Sequence, residues 1–193
     1  MPQYAELPTI LMHPHPERVV RQIIELFAGM DQVDSILDVG SGHGGVFDYD
    51  FWNRADISRR ATCDIHSVRE MEEEWEVQTG VDVQRLSDFY EPDSFDYVQC
   101  MEVLEHVPDR RRALEQLCVV ARKLVVITSA DELHHGFDEQ GDFDPDSAQA
   151  RCEAVNPHQR YIEQPSVSDL RDLGFAVFVE RTARRQLIAW RSL

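Results

Sequence analysis

Ser35-Ile-Leu-Asp-Val-Gly-Ser-Gly-His-Gly-Gly45 is the stretch that decides the fold. It reads as an apolar strand, Ser35–Val39, running straight into a glycine-rich turn. Glycine has no Cβ, so the backbone can turn tightly there and lie close to a ligand. In open α/β sheets, such a junction is where nucleotide-like cofactors bind. Gly40, Gly42 and Gly45 also satisfy G-x-G-x-x-G, the dinucleotide fingerprint. Asp38, two residues before the first glycine, weighs against that ligand. Its carboxylate would repel a pyrophosphate and would suit a cationic group.

Working outward, apolar runs alternate with helical stripes. Val19, Val20, Ile23, Ile24 and Phe27 form a stripe over residues 17–30, behind Pro16 and an irregular arm at 1–14. Strands are expected at 61–65, 81–86, Phe95–Met101 and 124–128. A helix is expected over 109–121, with Ala113, Leu114, Leu117 and Val120 on one side. A short helix over 166–173 is capped by Ser166 and ended by Gly174. Strands at 175–179 and 186–190 then flank a polar turn. Alternating strands and helices predict a mostly parallel sheet. The short last connector makes the final pair antiparallel. The expected fold class is therefore α/β: six or seven strands, an antiparallel C-terminal strand, helices on both faces, and a single domain over 1–193.

Two blocks carry a family resemblance. The glycine segment resembles motif I, D-x-G-x-G-x-G, of the class I S-adenosylmethionine (SAM) dependent methyltransferases. Phe95-Asp-Tyr-Val-Gln-Cys-Met-Glu-Val-Leu-Glu-His-Val-Pro108 is similar to that family's fourth strand and its following turn. The resemblance covers roughly residues 15–190 as a pattern and implies a Rossmann-like methyltransferase fold with SAM as cofactor. It places Asp38 near the amino group of the cofactor's methionine part, with the backbone of Gly40, Ser41 and Gly42 alongside. Asp64 would accept from the ribose hydroxyls, and Asp88 from the adenine amino group. Ile65 or Phe89 would pack on the adenine face. Met101 and Glu102 would line the same wall. Two features depart from the family. Gly40 and Asp64 are slightly farther apart than the usual spacing of about 20 residues, across a weakly amphipathic stretch at 46–60. Arg122-Lys-Leu enters the fifth strand without a Pro-Gly-Gly turn.

Residues 129–164 form the longest stretch without strand character and are the expected lid. They carry His134, His135, His158 and Tyr161. A histidine titrates near neutral pH and can act as a general base. His158, in Asn156-Pro-His-Gln-Arg-Tyr161, is the first candidate, and His106 faces the same region. Two metal patterns also stand in the sequence. Glu102, Glu105 and His106 match the E-x-x-E-H of a metal-dependent RNA 2′-O-methyltransferase family, which is an alternative reading. Asp142, Asp144, Asp146 and Glu153 fall at EF-hand positions, but Ser147 replaces the turn glycine and Pro145 intrudes. No metal is assigned to either.

Charge bounds the partners. Asp and Glu number 36 against 19 Lys and Arg, for a net charge of −17, and Lys123 is the only lysine. This balance disfavours non-specific contact with nucleic acid or anionic membranes and suits a protein that works in molar salt. No apolar run is long enough to span a bilayer, and a secretory signal is not expected, since a basic start followed by an apolar core is missing at the N-terminus. Cys63, Cys100, Cys118 and Cys152 make no C-x-x-C pair, which fits reduced thiols in a cytoplasmic protein. The reading is a SAM-dependent methyltransferase with a small-molecule or saccharide-like acceptor. Its rivals are a nicotinamide-dependent oxidoreductase and a non-catalytic domain of the same fold that binds a partner protein. The 186–190 strand, expected at the sheet edge with Trp190 exposed, could support a homodimer.

Overall fold

The computed structural model describes residues 32–42, 57–66, 75–130, 158, 160–179 and 187–193. The strands are β1 (Ser35–Val39), β2 (Arg59–Asp64), β3 (Trp75–Thr79), β4 (Phe95–Met101), β5 (Ala121–Ser129), β6 (Ala176–Val179) and β7 (Leu187–Ser192). Helices α1 (Arg110–Val120) and α2 (Val167–Asp172) lie between them, with 3-10 turns at Val83–Asp88 and Leu104–His106. The strands make one sheet of order β3-β2-β1-β4-β5-β7-β6. Neighbours from β3 to β5 are parallel, whereas β7 is antiparallel to both β5 and β6. The chain winds from β1 outward to β3, then back across β1 to β4. The carboxyl ends of β1 and β4 are thus the switch point of the sheet, where α/β proteins bind ligands.

Both faces of the central strands are buried. Leu37, Val39, Val98, Cys100, Val125 and Ile127 pack with Leu114 and Leu117 of α1 and Leu170 of α2. On the opposite face, Ile36, Tyr97, Leu124, Val126, Ile188 and Trp190 form a second core. A register shift between Phe95 and Tyr97 lets Phe95 join the first face out of strict alternation. Helix α1 buries Ala113, Leu114, Leu117 and Val120, and Asp109 caps it by accepting from the Arg112 amide at 3.0 Å. Ser166 caps α2 through the Asp169 amide at 3.0 Å. Gly174, at φ 82°, ends the turn, and the Phe175 amide donates back to the Leu170 carbonyl. Cys63 and Cys100 are buried core thiols.

Two expectations are corrected. The third strand lies at Trp75–Thr79, and the 81–86 stretch is mostly 3-10 helix. Asp82 caps that helix, accepting from the Gln84 amide at 2.9 Å. The buried residues of the 81–86 stretch, Val81, Val83 and Leu86, begin with a two-residue spacing that imitates a strand. The true β3 is a sheet edge and mostly exposed, so it shows no apolar run. The dimer surface is also corrected. Strand β7 lies inside the sheet because β6 pairs beyond it, and Trp190 is only 2% exposed.

No described helix is long and apolar enough to cross a membrane. The 1–14 arm, the 17–30 helix, the 46–56 part of the first crossover, His134, His135 and Cys152 lie outside the described residues. So do Asp142, Asp144, Asp146 and Glu153.

Candidate functional site

A cavity of about 310 Å³ opens at the carboxyl ends of the parallel strands. Val39, Gly40 and Gly42 form one wall beyond β1, and Asp64, Ile65 and His66 form another beyond β2. Asp82 and Gln84 stand after β3. Glu102, Val103 and His106 stand after β4, and His158 completes the rim. The glycine turn is built by close approach. Gly40 has φ 76°, and a Cβ there would lie 2.3 Å from Val103 Cγ2. Gly42 has φ 50°, and a Cβ there would meet nothing within 4 Å. The Gly40 amide donates to the Cys63 carbonyl at 2.8 Å, tying the turn to β2.

Asp64 organises the mouth of β2. Its Oδ2 accepts from the Gly42 amide at 2.9 Å and its Oδ1 from the His66 amide at 2.8 Å. Each oxygen keeps a lone pair for a ligand, since a carboxylate offers about four acceptor positions. Asp38 lies behind the turn and is 2% exposed. Its Oδ1 accepts from Gln99 Nε2 at 2.9 Å, and Gln99 is itself oriented by the Tyr97 hydroxyl donating to its Oε1 at 3.1 Å. Among the described residues the second oxygen, Oδ2, has no partner, nor do the buried hydroxyls of Ser41 and of Thr62, which pairs with Asp38 across β1 and β2. Burial pushes the Asp38 carboxyl up to about 7, the Gln99 donor opposes this, and the Asp64 charge adds to it.

Beyond β4, Glu102 takes φ 54°, a left-handed conformation that costs about 1–3 kcal/mol in a residue with a side chain. Thr128 on β5 holds it twice. The Thr128 hydroxyl donates to Glu102 Oε1 at 2.6 Å, and the Glu102 amide donates to the Thr128 carbonyl at 3.0 Å.

A family model described as a methyltransferase domain matches residues 12–177. The chain belongs to this methyltransferase domain family. Its fold is also that of solved methyltransferases. The CurJ carbon methyltransferase is 16% identical, with a TM-score of 0.58 over 91% of this chain and 52% of its own. The trans-methyltransferase CalH, solved with S-adenosylhomocysteine (SAH), is 15% identical, with a TM-score of 0.58 over 90% of this chain and 55% of its own. A SAM-dependent methyltransferase from Aquifex aeolicus is 15% identical, with a TM-score of 0.55 over 96% and 93%. This chain thus spans about half the length of the CurJ and CalH chains. No curated protein matches it in sequence.

Within this methyltransferase domain, the cavity gathers Gly40, Gly42, Asp64, Ile65, Glu102, His106 and His158 from the expected residues. Asp38 and Ser41 sit buried behind it. Asp88, Phe89 and Met101 do not line it. Asp88 is exposed and paired with Arg85, and Phe89 is 43% exposed. Met101 packs on the far face of the sheet with the second core. The displacement of Asp88 and Phe89 follows from the third strand, which ends earlier than its sequence suggests. The carboxylate that follows it at the cavity is Asp82. His66 and Gln84 were also missed, and an Asp two residues before Gln84 at a helix start was the available signal. The E-x-x-E-H residues diverge. The Glu105 side chain is buried and bonded to Ser129 and Ala130, whereas Glu102 bonds Thr128. Among the described residues, no three His, Cys, Asp or Glu side chains gather as a metal set.

Proposed function

We propose that this domain binds SAM in the switch-point cavity and methylates a small-molecule or saccharide-like acceptor. The observation that carries the reading is Asp38 Oδ2 beneath the glycine turn, buried and without a partner among the described residues. A buried acceptor without a donor costs free energy, and the ammonium of a methionine moiety would satisfy it. The Thr62 hydroxyl on the neighbouring strand, also without a partner among the described residues, suits the same polar group. Asp64, held by two amides with lone pairs to spare, suits a pair of ribose hydroxyls. Ile65, exposed at the cavity, suits the face of an adenine, and Asp82 suits its amino group. Glu102 and Val103, which line the cavity after β4, would hold the methionine part from that side. When bound, the cofactor supplies an activated sulfonium methyl. The chain's own part is to align the acceptor and keep water away. His106 or His158 would take the proton from an acceptor that must lose one. A pyrophosphate-bearing cofactor suits this site poorly, because it would meet the Asp64 carboxylate at the cavity wall and would leave the buried Asp38 without a cation.

Calorimetric titration with SAH tests the reading. One site of micromolar affinity is expected, weakened tenfold or more by Asp64→Ala, since a charge-assisted contact is lost. Folded protein that gives no heat with SAH, or an Asp64→Ala variant of unchanged affinity, would remove the assignment.

A further inference from the structure

Glu105 stands out as a buried carboxylate that lines no part of the cavity. It is 0% exposed, at the centre of the 3-10 turn Leu104–His106. A buried carboxylate needs its oxygens satisfied, and here the end of β5 supplies donors. The Ser129 hydroxyl donates to Oε2 at 2.9 Å and the Ala130 amide to Oε1 at 3.2 Å. The backbone of the same residue reaches a third segment. The Glu105 carbonyl accepts from the amides of Ile162 at 2.8 Å and Glu163 at 3.2 Å. Gln164 Nε2 then donates to the Ser129 carbonyl at 2.7 Å, closing the ring. Arg110 adds an ion pair to Glu163 at 2.6 Å. Three segments distant in sequence are therefore tied through one residue. Two of them bring histidines to the cavity, His106 directly beside Glu105 and His158 a turn's length before Ile162. The His158 ring lies 6.5 Å from the His66 ring across the rim.

We infer that Glu105 is a positioning residue, a clip that sets His106 and His158 as the acceptor-side wall of the cavity. The assignment of that wall to the acceptor rests on the function proposed above; the clip itself rests on the bonds. It gives a role to two sequence features that had none, the second glutamate of E-x-x-E-H and the Tyr161-Ile-Glu-Gln164 run after Asn156-Pro-His158. The chemistry of the clip is specific. Both carboxylate oxygens act as acceptors, but Ser129 presents a hydroxyl that can also accept. A glutamine can therefore keep both bonds, its Oε1 on the Ala130 amide and its Nε2 on Ser129 Oγ. An alanine can keep neither, and leaves a void.

The test is the imidazole C–H spectrum of the full chain, with the two signals assigned through His106→Asn and His158→Asn. Glu105→Ala is expected to move both signals by more than a linewidth, while Glu105→Gln leaves them in place. The indole of Trp75, on the far edge strand, should stay unmoved in both. Folded Glu105→Ala with both signals unmoved overturns the clip, and so does Glu105→Gln moving them as far as alanine does. Should Glu105→Ala not fold, Ser129→Ala removes only the hydroxyl arm. Smaller shifts of the same two signals support the clip, and none overturns it. SAH titration of the unaltered chain judges the cofactor reading separately, because the histidine signals report on the clip whether or not SAH binds.

Discussion

Gly40 answers to two constraints at once. Its φ of 76° strains any other residue, and a Cβ would meet the Val103 side chain at 2.3 Å. Gly40→Ala should therefore destabilise the fold by about 3 kcal/mol, from left-handed strain and overpacking together. Denaturant melting of Gly40→Ala and of the double variant with Val103→Ala separates the two. The double variant should recover the clash and keep the strain. Asp38 makes a prediction of a different kind. Its carboxyl is raised from the ordinary 3.8 to about 7, mainly by burial. The ligand-free fold thus holds a proton that the unfolded chain has already released. The stability this gives is full below pH 3.8, declines as pH rises, and is lost above about 7. A cationic ligand reverses the preference by favouring the ionised form. SAH affinity should therefore rise about tenfold between pH 6 and pH 8 and then level off. Asp38→Asn should bind more weakly and with no such slope; a slope that survives the substitution belongs to another group and not to Asp38. At this scale the sequence is most legible where backbone constraint and charge coincide, as in Asp38 and Gly40. It is least legible where a side chain such as Glu105 serves three distant segments, because no spacing along the chain records that meeting.

Among the elements, β4 shows how the end of the sheet opposite the cavity is secured. Asp96 is 1% exposed, yet it meets Arg122 at 2.6 Å and Lys123 at 3.1 Å from β5. The Asp34 amide, just before β1, donates to its Oδ2 at 2.9 Å. Burial alone would raise this carboxyl; the amide and the two cations outweigh it and hold it below its ordinary 3.8. Its contribution is therefore present above pH 3.8 and lost as pH falls through the lowered value. Asp96→Ala should cost about 2 kcal/mol, less than a fully buried pair because Arg122 and Lys123 are partly in water. Urea melts at pH 7 and pH 3 check this, and the gap between variant and parent should narrow at the lower pH. The position of Lys123, the only lysine in the chain, also explains the missing Pro-Gly-Gly turn. Helix α1 passes directly into β5, so that Arg122 and Lys123 reach Asp96 at once. The central strands were legible because they are buried on both faces and read as apolar runs. The edge strand β3 was not, because Glu76, Gln78 and Thr79 face solvent and the capped turn after it begins with the spacing of a strand.

Across the whole molecule, 36 acidic residues against 19 basic ones leave a charge of −17 that the fold must hold together. Self-repulsion of this kind weakens as the screening length falls from about 8 Å at physiological salt to about 3 Å at 1 M. A folded chain concentrates the charge and an unfolded one spreads it, so screening favours the fold. The melting temperature should therefore climb in potassium chloride, steeply up to about 1 M, and flatten once neighbouring charges no longer sense one another. The shape of the curve separates two causes. A plateau marks screening, whereas a rise that continues undiminished through several molar marks a general strengthening of apolar burial by salt. A flat curve from dilute buffer upward would mean that the acidic groups lie too far apart on the surface to repel. The same titration followed by SAH affinity tests the site within that field. Asp38 and Asp64 act at contact distance, where salt screens little, so affinity should change far less than melting temperature. Affinity that falls in parallel with added salt would instead assign cofactor attraction to the acidic surface as a whole.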